Sequence, residues 1–405
     1  MTEAKAKKTI TVTTQRELND ALDVYRFNKR ATIFIDSMTS SRIHVSETGK
    51  CTVIARGGSR VSIGPKGTLT AKENADVKSL GTSVVYAQDH AVVLADEKSV
   101  VYAQDHVSVS SWRQAKVKAK GRSSVVAHAE STVKAKGETT VRAWGKATAV
   151  VQDEVQLELH ESSFGRATNA AIVSATEKSS VVAGDLVSVT AIGESEVNSW
   201  GQSTVLAFDK VKIMASEDST VRAGGYVAVV ALDNSSVKVW ESASVEAHDF
   251  VHVETNDYSK VTLHGSSSAI ALDHSVVIAE DYSVVRAWNK SVVESKGHAT
   301  IEALDQSVVV SKGSCSISAG GSSKATIKDA FFVEAKEDSV VTVKGRSFVE
   351  AKHSSTLKTE GNCAVQVWDQ ATVEASESTS VHVFSSEAKV TGGVIIDSTK
   401  GLIED

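Results

Sequence analysis

From Ile43 to Ser386 the chain repeats every eight residues without insertion or deletion, and almost every octad reads small-x-Val-x-Ala-x-(Asp/Gly)-x. The first, third and fifth positions are small or apolar, while the second, fourth and sixth accept Lys, Glu, Gln, Thr and Arg. That alternation of period two belongs to a strand with one buried face. The seventh position is Asp, Gly, Glu or Asn in nearly every octad, residues that tolerate positive φ or hydrogen-bond their own turn. Each octad is thus predicted to be one short strand and a corner, and the succession of octads a solenoid. On this pattern Val229 points inward and Lys352 outward. Two octads, Ser83-Val-Val-Tyr-Ala-Gln-Asp-His90 and Ser99-Val-Val-Tyr-Ala-Gln-Asp-His106, are identical.

Stacked coils place equivalent positions above one another, so shared constraints along the chain indicate how many octads close a coil. Asp occupies the seventh position every 24 residues at Asp185, Asp209, Asp233, Asp257, Asp281, Asp305 and Asp329. The octads beginning at Ala91, Ala115 and Thr139 do not carry it there. All three cysteines, Cys51, Cys315 and Cys363, fall on the first position of the remaining set. Three octads per coil predict an all-β chain: a triangular parallel β-helix (β-solenoid) with 24 residues per coil and about 14 coils. At about 4.8 Å per coil the rod would be about 70 Å long.

Both ends leave the pattern. Thr9 to Thr13 reads as a strand, Thr14-Gln-Arg-Glu17 as a capping box opening a helix with Leu18, Ala21, Leu22 and Tyr25 on one side, and Ala31 to Asp36 as a second strand. Residues 1–42 are therefore expected to form an N-terminal α/β cap, 43–386 the solenoid and 387–405 a C-terminal cap, with Gly392 to Asp405 as a lid or subunit contact through which homo-oligomers could form.

Aromatics are only 5% of residues and the apolar set is mostly Val and Ala, which suits a thin interior better than a wide core. The single proline fits a chain whose strands need their N–H groups. A net charge of -6 arises from 44 basic and 50 acidic residues mixed along the chain, with no basic block to suggest nucleic acid or membrane as partner. Lys5, Lys7 and Lys8 are followed by no apolar h-region, and no long apolar run occurs, so the chain is expected to be cytoplasmic or virion-associated.

Among features that could carry function, the Asp series would place seven carboxylates on one corner, each accepting a hydrogen bond from a backbone N–H two residues on. All six tryptophans occupy the sixth position of their octads, and Trp144, Trp240 and Trp288 are expected to share a face, either covering small corner residues or offering a surface for sugar or protein. His274 and His298 would stack on neighbouring coils, but no third ligand or zinc-finger spacing accompanies them, so neither metal nor cofactor is expected. The cysteines read as small buried residues. No loop interrupts the repeat to build a concave pocket, which argues against an enzyme.

The octads Ser131-Thr-Val-Lys-Ala-Lys-Gly-Glu138 and Ser283-Val-Val-Arg-Ala-Trp-Asn-Lys290, with the Thr-x-x-Glu-Leu helix at Thr14 to Leu18, resemble octapeptide-repeat β-solenoids of actinobacteria and their phages. The resemblance covers about nine tenths of the chain and implies a fold without implying a catalytic or binding motif. The expectation is a non-catalytic rod that binds a protein partner as scaffold, adaptor or inhibitor, with the named Asp and Trp residues as candidate surface. A phage or cell-surface fibre recognising glycans is the alternative, and a polysaccharide-acting enzyme a remote one.

Overall fold

The computed structural model describes residues 8–25, 27 and 31–398. The chain is a parallel β-solenoid of about 23 turns with one helix. It divides into two compact units, Met1–Asn198 with Gln202–Thr204, and Ser199–Gly201 with Val205–Asp405. In both, the octads supply strands alternately to two parallel sheets, here called A and B.

The octad alternation becomes burial directly. In the octad that opens at Ser83, residues Ser83, Val85 and Ala87 have no exposed surface, while Val84, Tyr86 and Gln88 face outward. Val and Ala are the right size because the inner faces of two sheets must meet without a third layer between them. The small first residue is often Ser, and at some corners its hydroxyl bonds the turn: Ser83 Oγ donates to the Leu80 carbonyl at 2.8 Å, and Ser123 Oγ does the same to Lys120 at 2.9 Å, whereas others such as Ser99 and Ser131 are buried without a partner.

The register corrects the expected coil. Val85 pairs with Val101, Val101 with Val117 and Val117 with Val133, each on the strand two octads away. A coil therefore holds two octads, and the triangular arrangement with 24 residues per coil does not form. The error lies in the Asp series. Both corners of a two-sheet coil need a residue at positive φ, and Asp serves at either; Asp209 (φ 68°) and Asp233 (φ 57°) stand at opposite corners. Three octads is an odd number, so a recurrence of three alternates corners instead of climbing one of them.

At its start the solenoid takes in the cap. The strand Lys8–Val12 pairs in parallel with Ala31–Ile35, which pairs with Thr52–Ala55 of sheet A. Between the first two lies the helix Gln15–Tyr25, burying Leu18, Ala21 and Leu22. Thr14 Oγ1 accepts the Glu17 N–H at 3.3 Å, and the Glu17 carboxylate accepts the N–H of Thr13 at 2.7 Å, a bond that holds its pKa down with help from the Thr14 backbone. At the far end the chain does not fold over as a lid within the described residues. Lys389–Thr391 and Val394–Asp397 add one more strand to each sheet, pairing with Thr372–Glu374 and Ser380–Val383. The rest of the expected lid and the basic start before Lys8 lie outside the described residues.

Candidate binding surfaces

The seven aspartates do not form one ladder. Within the second unit Asp233, Asp281 and Asp329 belong to one corner, and Asp209, Asp257 and Asp305 to the other; Asp185 belongs to the first unit. All seven have positive φ. Several carboxylates perform a task that the expected turn within one octad does not describe. Asp233 Oδ2 accepts the backbone N–H of Glu217, Asp257 Oδ2 that of Glu241, and Asp281 Oδ2 that of Gly265, at 3.0–3.1 Å and always from the corner one coil earlier. Glu is used likewise, as where Glu73 receives the Gly57 N–H and donates its own to Asp89. The corner acids thus satisfy N–H groups that the strand ladders leave over, which makes them structural before they are anything else.

Five tryptophans, Trp112, Trp144, Trp240, Trp288 and Trp368, follow strands of sheet B, and Trp200 follows one of sheet A. Trp144, Trp240 and Trp288 therefore do stand at equivalent places, though for a reason unconnected with a 24-residue coil. Trp144 stacks on His160 with ring centroids 3.9 Å apart, and Trp112 on His128 at 4.0 Å, each pair one coil apart. Trp240 lies over Gly224, where an added Cβ would clash with its indole Nε1, and turns an edge to Phe208. Trp144 and Trp240 are half-buried and only Trp288 of the three is exposed. Three of these indoles thus pack on the neighbouring coil, Trp112 and Trp144 on a histidine and Trp240 over a glycine. Burial also lowers the pKa of His128, beneath Trp112, with the charge of Glu161 opposing the shift.

His274 and His298 do not meet. Each instead stacks beneath a tyrosine one coil earlier, on Tyr258 and Tyr282 respectively, with centroids 5.2 Å apart in both pairs. Cys315 and Cys363 precede strands of sheet B and Cys51 a strand of sheet A, so the cysteines do not share one face. All three are buried and free, and burial pushes their thiols up.

A feature hidden in the linear sequence appears on sheet A of the first unit. From Thr52–Ala55 to Ser180–Ala183, nine successive sheet A strands present no Asp or Glu at their outward positions, including the position just after each strand. The same face carries Lys116, Lys118 and Lys120 on one coil and Lys134 and Lys136 on the next. Lys118 is directly opposite Lys134 in the register. All five are exposed, and among the described residues none forms an ion pair. Tyr86 and Tyr102 continue the column of Lys118, stacked with centroids 5.0 Å apart, and Lys118 Nζ lies 5.1 Å from the Tyr102 ring. Acids resume only at the corners, as at Glu73, Asp89, Asp105, Glu138, Asp153, Glu154 and Asp185. Reading the lysines octad by octad scatters them along the chain, and only pairing by two octads collects them.

Surface depressions occur between successive turns, such as the one bounded by Glu161, Ser162, Glu177, Lys178, Gly193 and Glu194. Among the described residues no helix is long and apolar enough to cross a membrane. The fold defines the chain as a parallel β-solenoid with two sheets. No protein-family model, no curated protein and no solved structure matches it.

Proposed function

We propose that the chain is a non-catalytic binding scaffold, of the octapeptide-repeat solenoid kind, whose first unit holds an acidic segment of a protein partner along the outward face of sheet A. The observation that carries this reading is the acid-free face itself, with five unpaired lysines opposed across adjacent strands in a protein of net charge -6. Like charges placed opposite one another destabilise a sheet, so their concentration here is a cost in the free protein that an acidic partner removes. The spacing fits. Lys116, Lys118 and Lys120 alternate along one strand at about 6.8 Å per two residues, the same interval at which an extended peptide presents alternate carboxylates. The tyrosine column beside them supplies apolar contact and ring faces suited to an interface.

Glycan recognition through Trp144, Trp240 and Trp288 has less support, because Trp144 and Trp240 are half-buried against neighbouring coils. The test is binding of a fluorescent peptide of alternating Glu and Ser, followed by anisotropy at low and high salt. Binding should weaken as salt rises and be lost in the double variant Lys118→Glu/Lys134→Glu, and that variant should also lose whatever protein the wild type retains from host lysate. Absence of peptide binding at low salt, or equal binding by the double variant, would overturn the reading; so would much tighter binding of heparin or RNA than of the peptide.

A further inference from the structure

We infer that the second unit carries a divalent transition-metal site of the zinc class, formed by Glu246, His248 and His264 and oriented by Glu280. Glu246 lies on the outward face of the sheet A strand Ser244–Ala247, and His248 follows that strand's last residue. His264 stands one coil later, after Lys260–Leu263, in register because Ala247 pairs with Leu263. The backbone fixes both histidines, since the His248 N–H donates to the Ala231 carbonyl and the His264 N–H to that of Ala247. Their rings stack with centroids 4.7 Å apart and 12° between planes. Both Nε2 atoms face the same carboxylate oxygen: Glu246 Oε1 is 3.3 Å from His248 Nε2 and 3.9 Å from His264 Nε2. One donor atom from each of the three residues falls within 4.8 Å of the others.

Ligands about 2.0–2.1 Å from a tetrahedral ion lie roughly 3.4 Å from one another. The first separation already has that value, and for the second the His264 ring must turn out of its stack with His248 so that both Nε2 lone pairs meet one ion. Two imidazoles and one carboxylate suit zinc and its late first-row neighbours and do not suit calcium or magnesium, which take oxygen ligands. A fourth position remains open to solvent.

His264 Nδ1 lies 3.3 Å from Glu280 Oε2, so that carboxylate is placed to support the ring from behind while Nε2 faces Glu246. A carboxylate behind a ligating histidine is the usual support of such a ligand. Glu280 is held in turn by Lys296, whose Nζ is 3.6 Å from its other oxygen. The histidines that the sequence suggested would stack, His274 and His298, belong to opposite corners. The pair one coil apart is His248 and His264.

The inference is tested by titrating tag-free protein, stripped with chelator, with zinc chloride in competition with a chromophoric chelator, and with cobalt(II) followed in the visible. One zinc per chain should bind, cobalt should give the absorption of a site with nitrogen and oxygen ligands, and both should vanish in His248→Gln/His264→Gln. Glu280→Gln should retain the cobalt spectrum but weaken zinc by about 10–100-fold. Circular dichroism of each variant separates loss of the site from loss of fold. A wild type without micromolar zinc affinity, or a folded double variant that binds as well as the wild type, would overturn the site.

Discussion

Asp233 reaches back one coil: its carboxylate accepts the backbone N–H of Glu217 at 3.1 Å, while its own backbone holds φ at 57°. One side chain therefore serves two needs, and substitutions separate them. Asn supplies an acceptor oxygen and tolerates the left-handed region, whereas Ala supplies neither. Asp233→Asn is expected to change stability by less than about 0.5 kcal/mol and Asp233→Ala to cost about 1–2 kcal/mol. Chemical denaturation of the two variants checks this, and equal costs would show that the carboxylate bond contributes nothing.

Val229 is 2% exposed on the strand Ala228–Ala231, between Lys212–Ala215 and Ser244–Ala247. Val229→Asp puts a charge with no partner between two sheets and should cost on the order of 4 kcal/mol. The loss should appear first in hydrogen exchange of the coils on either side, because coils of a solenoid depend on their neighbours. Protection unchanged in those strands would contradict an interior position.

Lys352 looks from the sequence like an outward residue open to exchange, yet its Nζ lies 3.0 Å from Glu334 and 2.6 Å from Glu350. Burial pushes the Glu334 carboxyl up, but hydrogen bonds from Lys352 and Ser318 and the charges of Lys352 and Lys336 outweigh it, leaving the group below its ordinary value. A depressed carboxyl pKa contributes stability above the unfolded value, near ~4.3, and the contribution is lost as pH falls through the folded one. Lys352 is shifted up, by hydrogen bonds to Glu350 and then Glu334; its contribution is full below the unfolded value of ~10.4 and is lost as pH rises through the folded one. Glu334→Gln should therefore cost about 1 kcal/mol at neutral pH, a figure reduced for partial exposure. The cost should fade as the medium is taken below pH ~4. Melting curves across that range measure it, and a cost independent of pH would remove the charge from the explanation.

The lysines of sheet A oppose stability and binding to one another. Because Lys118 faces Lys134 across the register, Lys134→Glu should stabilise the free protein by roughly 0.5 kcal/mol, more at low salt. The same change should weaken capture of an acidic peptide. A variant that loses stability at low salt would show that the opposition of charges is not felt.

The buried thiols should be silent in the native protein. Cys51, Cys315 and Cys363 are at most 8% exposed, and burial pushes each thiol up. Thiolate is the reactive form, so a disulfide reagent should titrate none of them within minutes under native conditions and all three in denaturant. Fast native reaction of any one would place it at the surface.

The strands, the corners and the inward set were legible in the octad because alternation and turn residues act within a few positions of one another. Ser83, Val85 and Ala87 could be placed inside, and Asp89 at a corner, from that spacing alone. The number of octads per coil depends on which strands meet, and Asp at the seventh position is uninformative there because both corners impose the same φ. Pairs that touch were the better signal: Tyr86 with Tyr102, His90 with His106 and Arg122 with Glu138 all join equivalent positions two octads apart. The identical octads at Ser83 and Ser99 carry the first two of these pairs. The lysine face and the His248–His264 pair stayed hidden for the same reason, since each exists only once the correct strands are neighbours.

The equivalence of the two corners also bears on heredity. A gene encoding such a chain can gain or lose one repeat and still specify strands and turns that fit, but every outward residue beyond that point would pass from one sheet to the other. Gain or loss of two repeats leaves each downstream residue in its own column. Surfaces such as the lysine face or the paired histidines can thus survive changes in repeat number only when the genetic unit exchanged is the pair, although the unit visible in the sequence is the single octad.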